Sequence, residues 1–295
     1  MVTPPLNVGN ILTLALQIYR QRFWPYLWLS LQAHLWLLVP VYGWAKCSGL
    51  LGAIARLVVQ QLRGITEPPQ AAVAIGEKKM WHLFGAGMLY SVTATILLGL
   101  LALPMLVLTV PLGEMLTRTQ AWANPWMTLG FVLWVLLVAA GGLFLWAWLI
   151  CHLLLYPLPV VMEDEVTYDR SLARSWQLIQ GSVLRVQLVM VLGILLLMPL
   201  QIPVQIVLNV LQTFLLVLAS TVGLMAGMVV SMLTGGAEAV VGVVMVAPLA
   251  LAFVIPPLLA GAVFAPFWQA VLAVIYHDAC CCREGWGLVL PAVDA

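Results

Sequence analysis

The side chains able to do chemistry are few: four His, five Cys, 11 Asp or Glu and 12 Lys or Arg in 295 residues. The densest group lies near the end, where His277, Asp278 and Cys280–Cys282 follow one another. On a helix, His277 shares a face with Cys280 and Cys281 at i,i+3 and i,i+4, which supplies two zinc ligands. Structural zinc takes four, and C-x-x-C spacing is missing, so no metal is assigned and the thiols read as reduced and inert. Glu163, Asp164 and Glu165 form a second group. Successive loop residues point apart and no His is near in sequence. The expectation is a hydrated loop at headgroup level, with neither an acid/base pair nor a metal site.

The third group is His34, His152 and Arg56, each set in apolar sequence. An ionisable residue inside a membrane is a functional candidate by default. Neither His has a carboxylate in its own segment, so a hydrogen bond to a neighbouring helix is the expected role. Arg56 needs a partner or a route to an interface. Gln187, Gln201, Gln205, Asn209 and Gln212 read either as interhelical hydrogen-bonding groups or as the lining of a polar cavity. Glu114 and Glu238 fall near segment boundaries and read as solvated. Glycine-rich phosphate loops, G-x-S-x-G and H-E-x-x-H are missing. No catalytic residue and no cofactor is assigned, and an enzyme is not expected.

The elements that must carry these residues are membrane helices. Hydrophobic residues make up 64% of the chain, and 24–45, 83–113, 126–162, 186–237 and 239–276 are almost free of charge. A soluble domain cannot bury that much apolar surface. Runs of about 18–20 apolar residues read as transmembrane helices. The net charge of +1 excludes the basic excess of a nucleic-acid binder. The expected fold is all-α, a polytopic transmembrane bundle forming one integral membrane domain over 1–295. Residues 7–23 do not read as a signal peptide, because Arg20 and Arg22 follow the apolar stretch and no small-residue cleavage site appears.

Asn7 is a good N-cap. Val8, Ile11, Leu12, Ala15 and Ile18 then recur at helical spacing, which predicts an amphipathic interfacial helix over 7–23. A first span follows at 24–45, with Trp24 and Trp44 as its interface anchors. The segment 47–62 reads as a return span, 63–70 as a loop, 82–111 as a span, 111–124 as a polar loop and 129–157 as a span. Leu172, Trp176, Ile179 and Val183 form the apolar stripe of a second interfacial helix over 168–182. A fifth span covers 183–200. The region 201–277 crosses once, with 203–235 re-entrant or interfacial, for six spans. The alternative is three crossings with turns at Gly235–Gly236 and Pro256–Pro257, for eight. Partly basic segments beginning near 7, 70 and 168 each lead into an apolar hairpin, a weak internal repeat. Both termini are expected in the cytoplasm, since Arg20, Arg22, Arg63, Lys78, Lys79, Arg170, Arg174, Arg185 and Arg283 then lie inside, with Lys46 and Arg118 outside. Ala219, Gly223, Gly227 and Ser231 make a smooth face for close helix packing, inside the monomer or against a subunit.

Two segments carry a resemblance. RSWQLIQGSVLRV, residues 174–186, resembles R-S-W-x-L-x-x-G-x-x-x-R-V of a bacterial family. That family is named for the membrane domain fused to some glycerophosphoryl diester phosphodiesterases. YHDACCCREGWGL, residues 276–288, resembles its Y-x-D-x-R-x-R-x-E-G ending, with Cys280 and Cys282 at the usual basic positions. NVGNILTLALQIYRQRF and LWLLVPVYGWAK are similar to the cyanobacterial branch. The resemblance implies a six-span bundle without the phosphodiesterase barrel, in a bacterial plasma membrane or a cyanobacterial thylakoid membrane. The leading expectation is a non-catalytic scaffold, assembly or accessory component, with membrane lipids and other membrane subunits or a second copy as partners. The alternative is a transporter or lipid-handling protein.

Overall fold

The computed structural model describes residues 5–120, 124–234 and 238–285. Among the described residues there is no strand, and the helices run in the order α1 (Val8–Gln21), α2 (Phe23–Trp36), α3 (Tyr42–Leu62), α4 (Pro69–Lys78), α5 (Met80–Arg118), α6 (Pro125–Leu153), α7 (Pro157–Met162), α8 (Tyr168–Ile179), α9 (Val183–Thr234) and α10 (Glu238–Glu284). Four stretches are long and apolar enough to cross a membrane: Met80–Arg118, Pro125–Met162, Val183–Leu233 and Pro248–Glu284.

These stretches form two antiparallel arms. In the α5/α6 arm the Trp146 indole donates to the Ala94 carbonyl at 3.2 Å. Further along, Gly142 meets Met105 and Gly113 meets Phe131. In the α9/α10 arm the Trp268 ring lies against Gly193. The expected loop from 111 begins only after Arg118, because α5 runs straight through Pro104 and Pro111. Asn124 caps α6, its side chain accepting from the Trp126 amide at 3.0 Å, with Pro125 in the first turn where no N–H is needed.

The expected span 24–45 does not form. The chain turns at Leu37–Val41, where Pro40 lacks a donor and Val41 takes φ 61°. The 14-residue α2 is about 21 Å long, well short of the roughly 30 Å hydrocarbon core. Trp24 and Trp44 therefore sit on different helices. Residues 47–62 belong to α3, which begins at Tyr42 and is the most buried helix of the core. Small residues allow this. A Cβ at Gly49 would stand 2.7 Å from the Gly76 carbonyl of α4, so the two backbones touch.

Both expected interfacial helices turn their inner faces to protein. In α1, Ile11, Leu12, Ala15 and Ile18 are buried, and the Tyr19 hydroxyl donates to the Val263 carbonyl of α10 at 2.8 Å. The Asn7 carbonyl accepts the Ile11 amide, while the Asn7 side chain makes no cap. In α8 the buried residues are Ser171, Ser175, Leu178 and Ile179; of the expected stripe Ile179 and Val183 are buried and Leu172 and Trp176 are not.

Beyond Leu200 the chain follows neither expected route. α9 continues through Pro199 and Pro203, and α10 through Pro256 and Pro257, so 203–235 is no separate segment and no turn forms at 256–257. Apolar helices tolerate such prolines where neighbouring helices and local adjustments satisfy the freed carbonyls. Ala219, Gly223 and Gly227 are buried within the chain itself, so this face is not a free subunit surface. The turn expected at Gly235–Gly236, the Glu238 side chain, the loop residues Trp122 and Ala123, and residues 286–288 lie outside the described residues.

Candidate functional site

The start of α5, the end of α7, the start of α9 and the end of α10 come together, and polar groups gather there. Glu163 accepts from Arg174 Nε at 3.2 Å and from the Tyr276 hydroxyl at 2.9 Å. Lys79 donates to the Glu163 carbonyl at 3.0 Å and pairs with Asp164 at 3.0 Å. That hydrogen bond holds the Asp164 carboxyl below its usual range. Arg174 also pairs with Glu284. Arg185 pairs with Asp278 at 2.6 Å, and Asp278 accepts the Leu6 amide at 2.8 Å. Arg283 donates to the carbonyls of Gln177 and Gln180. The segments 174–186 and 276–285 thus bind each other. Glu163 and Asp164 are not merely a hydrated loop. Their partners lie on three other elements, which no local pattern reveals.

Arg56 has the partner that its apolar setting calls for. Its Nε contacts both carboxylate oxygens of Glu67 at 3.0 Å, and Nη1 donates to the Val161 carbonyl at 3.1 Å. Lys46 pairs with Glu77 at 3.3 Å, next in sequence to Lys78, and its ammonium lies over the Trp36 ring. It therefore joins Lys78 and Lys79 instead of standing on the opposite side with Arg118. His277 Nδ1 and Cys281 Sγ are 3.5 Å apart, the i,i+4 approach that their spacing implies. Among the described residues no group of three His, Cys, Asp or Glu is placed to hold a metal.

The two intramembrane candidates each line a cleft. His152 is buried, its Nδ1 is 3.0 Å from the Trp148 carbonyl, and its ring stacks on Trp176 at 4.0 Å. Ser175 explains the inward serines of α8: its hydroxyl donates to the His152 carbonyl at 2.8 Å and accepts the Leu155 amide at 3.0 Å. Beside them lies a cleft of 450 Å³ reaching Gly181 and Arg185.

The larger cleft, 620 Å³, opens between α2, α9 and α10. Met198, Ile202, Phe264 and Trp268 give it apolar walls, and His34, Gln201 and Gln205 are its polar side chains. His34 Nδ1 lies 2.8 Å from the Ser30 carbonyl. A carbonyl only accepts, so Nδ1 carries the hydrogen, and in the neutral ring Nε2 is then the acceptor. The ring fits because position 261 is Gly; a Cβ there would stand 2.6 Å from Nε2. Gln205 Nε2 donates to Asn209 Oδ1 at 3.0 Å, one turn along α9. Of the expected cavity-lining residues, Gln201 and Gln205 take that place; Gln187 and Gln212 do not. No Asp, Glu, Lys, Arg, Ser or Cys lines this cleft. It can hold an apolar chain and a small uncharged head. No protein family, curated protein or solved structure matches the chain.

Proposed function

We propose that this chain is a non-catalytic membrane protein that handles lipid, holding an amphiphile in the cleft between α2 and the α9/α10 arm. The observation that carries the reading is the cleft itself: neutral polar side chains set among apolar walls, on the flank of two helices long enough to cross a membrane. Ligand sites of this kind are concave, mostly apolar, and carry a few placed polar groups. The burial of Ala219, Gly223 and Gly227 within the chain removes one of the surfaces a scaffold would use for a subunit contact. An uncharged diazirine fatty alcohol added to native membranes should crosslink chiefly to 198–205 and 260–268, and Ala265→Trp should suppress those adducts. Labelling spread evenly over α5 and α6 would overturn the reading.

A second reading, an accessory component of a membrane complex, is supported by the α5/α6 arm, whose most apolar stretches no other part of the described chain buries. Crosslinking in native membranes that captures a fixed neighbour on this arm would favour it.

Both termini belong in the cytoplasm of a bacterial cell, on the side where Lys79, Arg174, Arg185 and Arg283 gather. Cys280 and Cys281 are buried, so impermeant thiol reagents miss them in either orientation. Reporter cysteines at Gly285 and Asn124 test the sidedness: in intact cells only the second should react. The likeness of 174–186 and 276–285 to the membrane domain of the phosphodiesterase family fits this placement and carries no hydrolase activity with it.

A further inference from the structure

The polar groups of the larger cleft favour one class of guest. His34 gives its Nδ1 hydrogen to the Ser30 carbonyl, so in the neutral ring Nε2 is an acceptor at the cleft wall beside Gly261. Gln205 gives one amide hydrogen to Asn209, which leaves Oε1 as an acceptor and the second N–H as a donor. Two acceptors on α2 and α9 suit a guest that brings donors. Gln201, one turn before Gln205, supplies an amide that can donate to an ester carbonyl. No Asp, Glu, Lys or Arg lines the cleft, so beside a neutral His34 a phosphate or carboxylate would lose its hydration without gaining a charged partner, which is strongly unfavourable in an apolar setting.

We infer that the cleft is a binding site for an uncharged lipid whose head carries free hydroxyl groups, the class of a monoacylglycerol, with hydroxyls donating to His34 Nε2 and Gln205 Oε1 and the acyl chain along Met198, Ile202 and Phe264. The inference rests on the lipid-handling reading and narrows it. It excludes anionic phospholipids as the resident guest and makes the head, not the tail, the basis of selection. A site built to pair polar groups rejects an analogue that leaves them unpaired far more sharply than an apolar wall rejects an extra methylene.

The test uses the full chain in nanodiscs, labelled at the cleft by an uncharged diazirine fatty alcohol. Three competitors with the same single acyl chain are compared: monoacylglycerol, its dimethyl ether with both hydroxyls capped, and lysophosphatidic acid. Monoacylglycerol should displace the probe best. The dimethyl ether should be weaker by about five- to tenfold for each hydrogen bond lost, and lysophosphatidic acid no stronger than the ether. His34→Phe and Gln205→Leu should each narrow the gap between monoacylglycerol and its ether by about that factor. Gln205 lies on the outer wall, so its variant keeps the test alive if His34→Phe fails to fold. Equal displacement by all three lipids would overturn the hydroxyl-headed guest and leave lipid handling standing. Absence of labelling at 198–205 and 260–268 would overturn both.

Discussion

The two arms are built from the same kinds of residue and meet different surroundings. In α5 and α6 the most apolar 18-residue windows are 0% buried within the chain; in α9 and α10 the corresponding values are 28% and 18%. Near its base the α5/α6 arm packs on α3, α7 and α8, and beyond that it leans on itself. A Cβ added at Gly99, Gly130 or Gly141 would meet nothing within 4 Å. The α9/α10 arm is backed near its base by α1, α2 and α3, buries Gly223 and Gly227 further out, and carries the larger cleft. In water the bare arm would be untenable. In lipid it costs little, because acyl chains are as apolar as Leu and give no hydrophobic drive to cover it. Apolarity therefore marks both arms as membrane elements but does not say which one packs. Small residues in register, at Ala219, Gly223 and Gly227, mark the packed arm, whereas prolines lie inside helices of both arms.

The contrast breaks most visibly at the base. Asp278 is buried and holds both Arg185 and the Leu6 amide, so Asp278→Ala strands a charge and a donor. Removing one member of such a pair should cost about 3 kcal/mol, seen as a large drop in the thermal midpoint in detergent. A wild-type midpoint would mean that the base does not hold the α9/α10 arm. The next largest effect separates the arms directly. Gly227→Leu overpacks a buried face and should cost about 1–3 kcal/mol. Gly130→Leu meets open space and should stay within about 0.5 kcal/mol of wild type. Equal effects would erase the distinction. Within the bare arm, Trp146→Phe removes the indole bond to Ala94 and should cost about 0.6 kcal/mol, the average for hydrogen bonds between membrane helices. The smallest effect is one of pH. Lys79 holds Asp164 below the model-compound value of 3.8, so the pair stabilises fully above that pH and its contribution disappears as pH falls through the lower folded value. Lys79→Met should flatten that acid limb; an unchanged limb would assign acid sensitivity elsewhere.

Much of the fold was legible. Apolar runs located the stretches later occupied by α5, α6, α9 and α10. The amphipathic spacing of 8–18 located α1, although its apolar face meets α9 and α10 and not lipid. An amphipathic stripe says that a face is covered, not by what. The stripe of α8 misled for another reason. Its buried Ser171 and Ser175 look polar in sequence, yet Ser175 is needed inside to satisfy Leu155 and the His152 carbonyl. The broken 24–45 segment lacked any charge to expose the turn, and Pro40 alone carried the signal. Pro199, Pro203, Pro256 and Pro257 carried the same residue type without breaking their helices. Of the candidate site, His34, Gln201 and Gln205 were visible as polar residues in apolar sequence. Their convergence was not, because His34 and Gln201 are 167 positions apart along the chain.

The length of α9 has a consequence for the membrane as a material. Its 52 residues make a rod of about 78 Å, against a hydrocarbon layer of about 30 Å. Kept straight and wholly immersed, the rod would lean about 67° from the normal, where about 20° is usual. Pro199 and Pro203 fall about a third of the way along it, where a bend relieves the lean at least cost. Any thickening of the surrounding lipid relieves it further. A rod of this length favours thick lipid over thin, so the chain is expected to accumulate where the membrane is thickest.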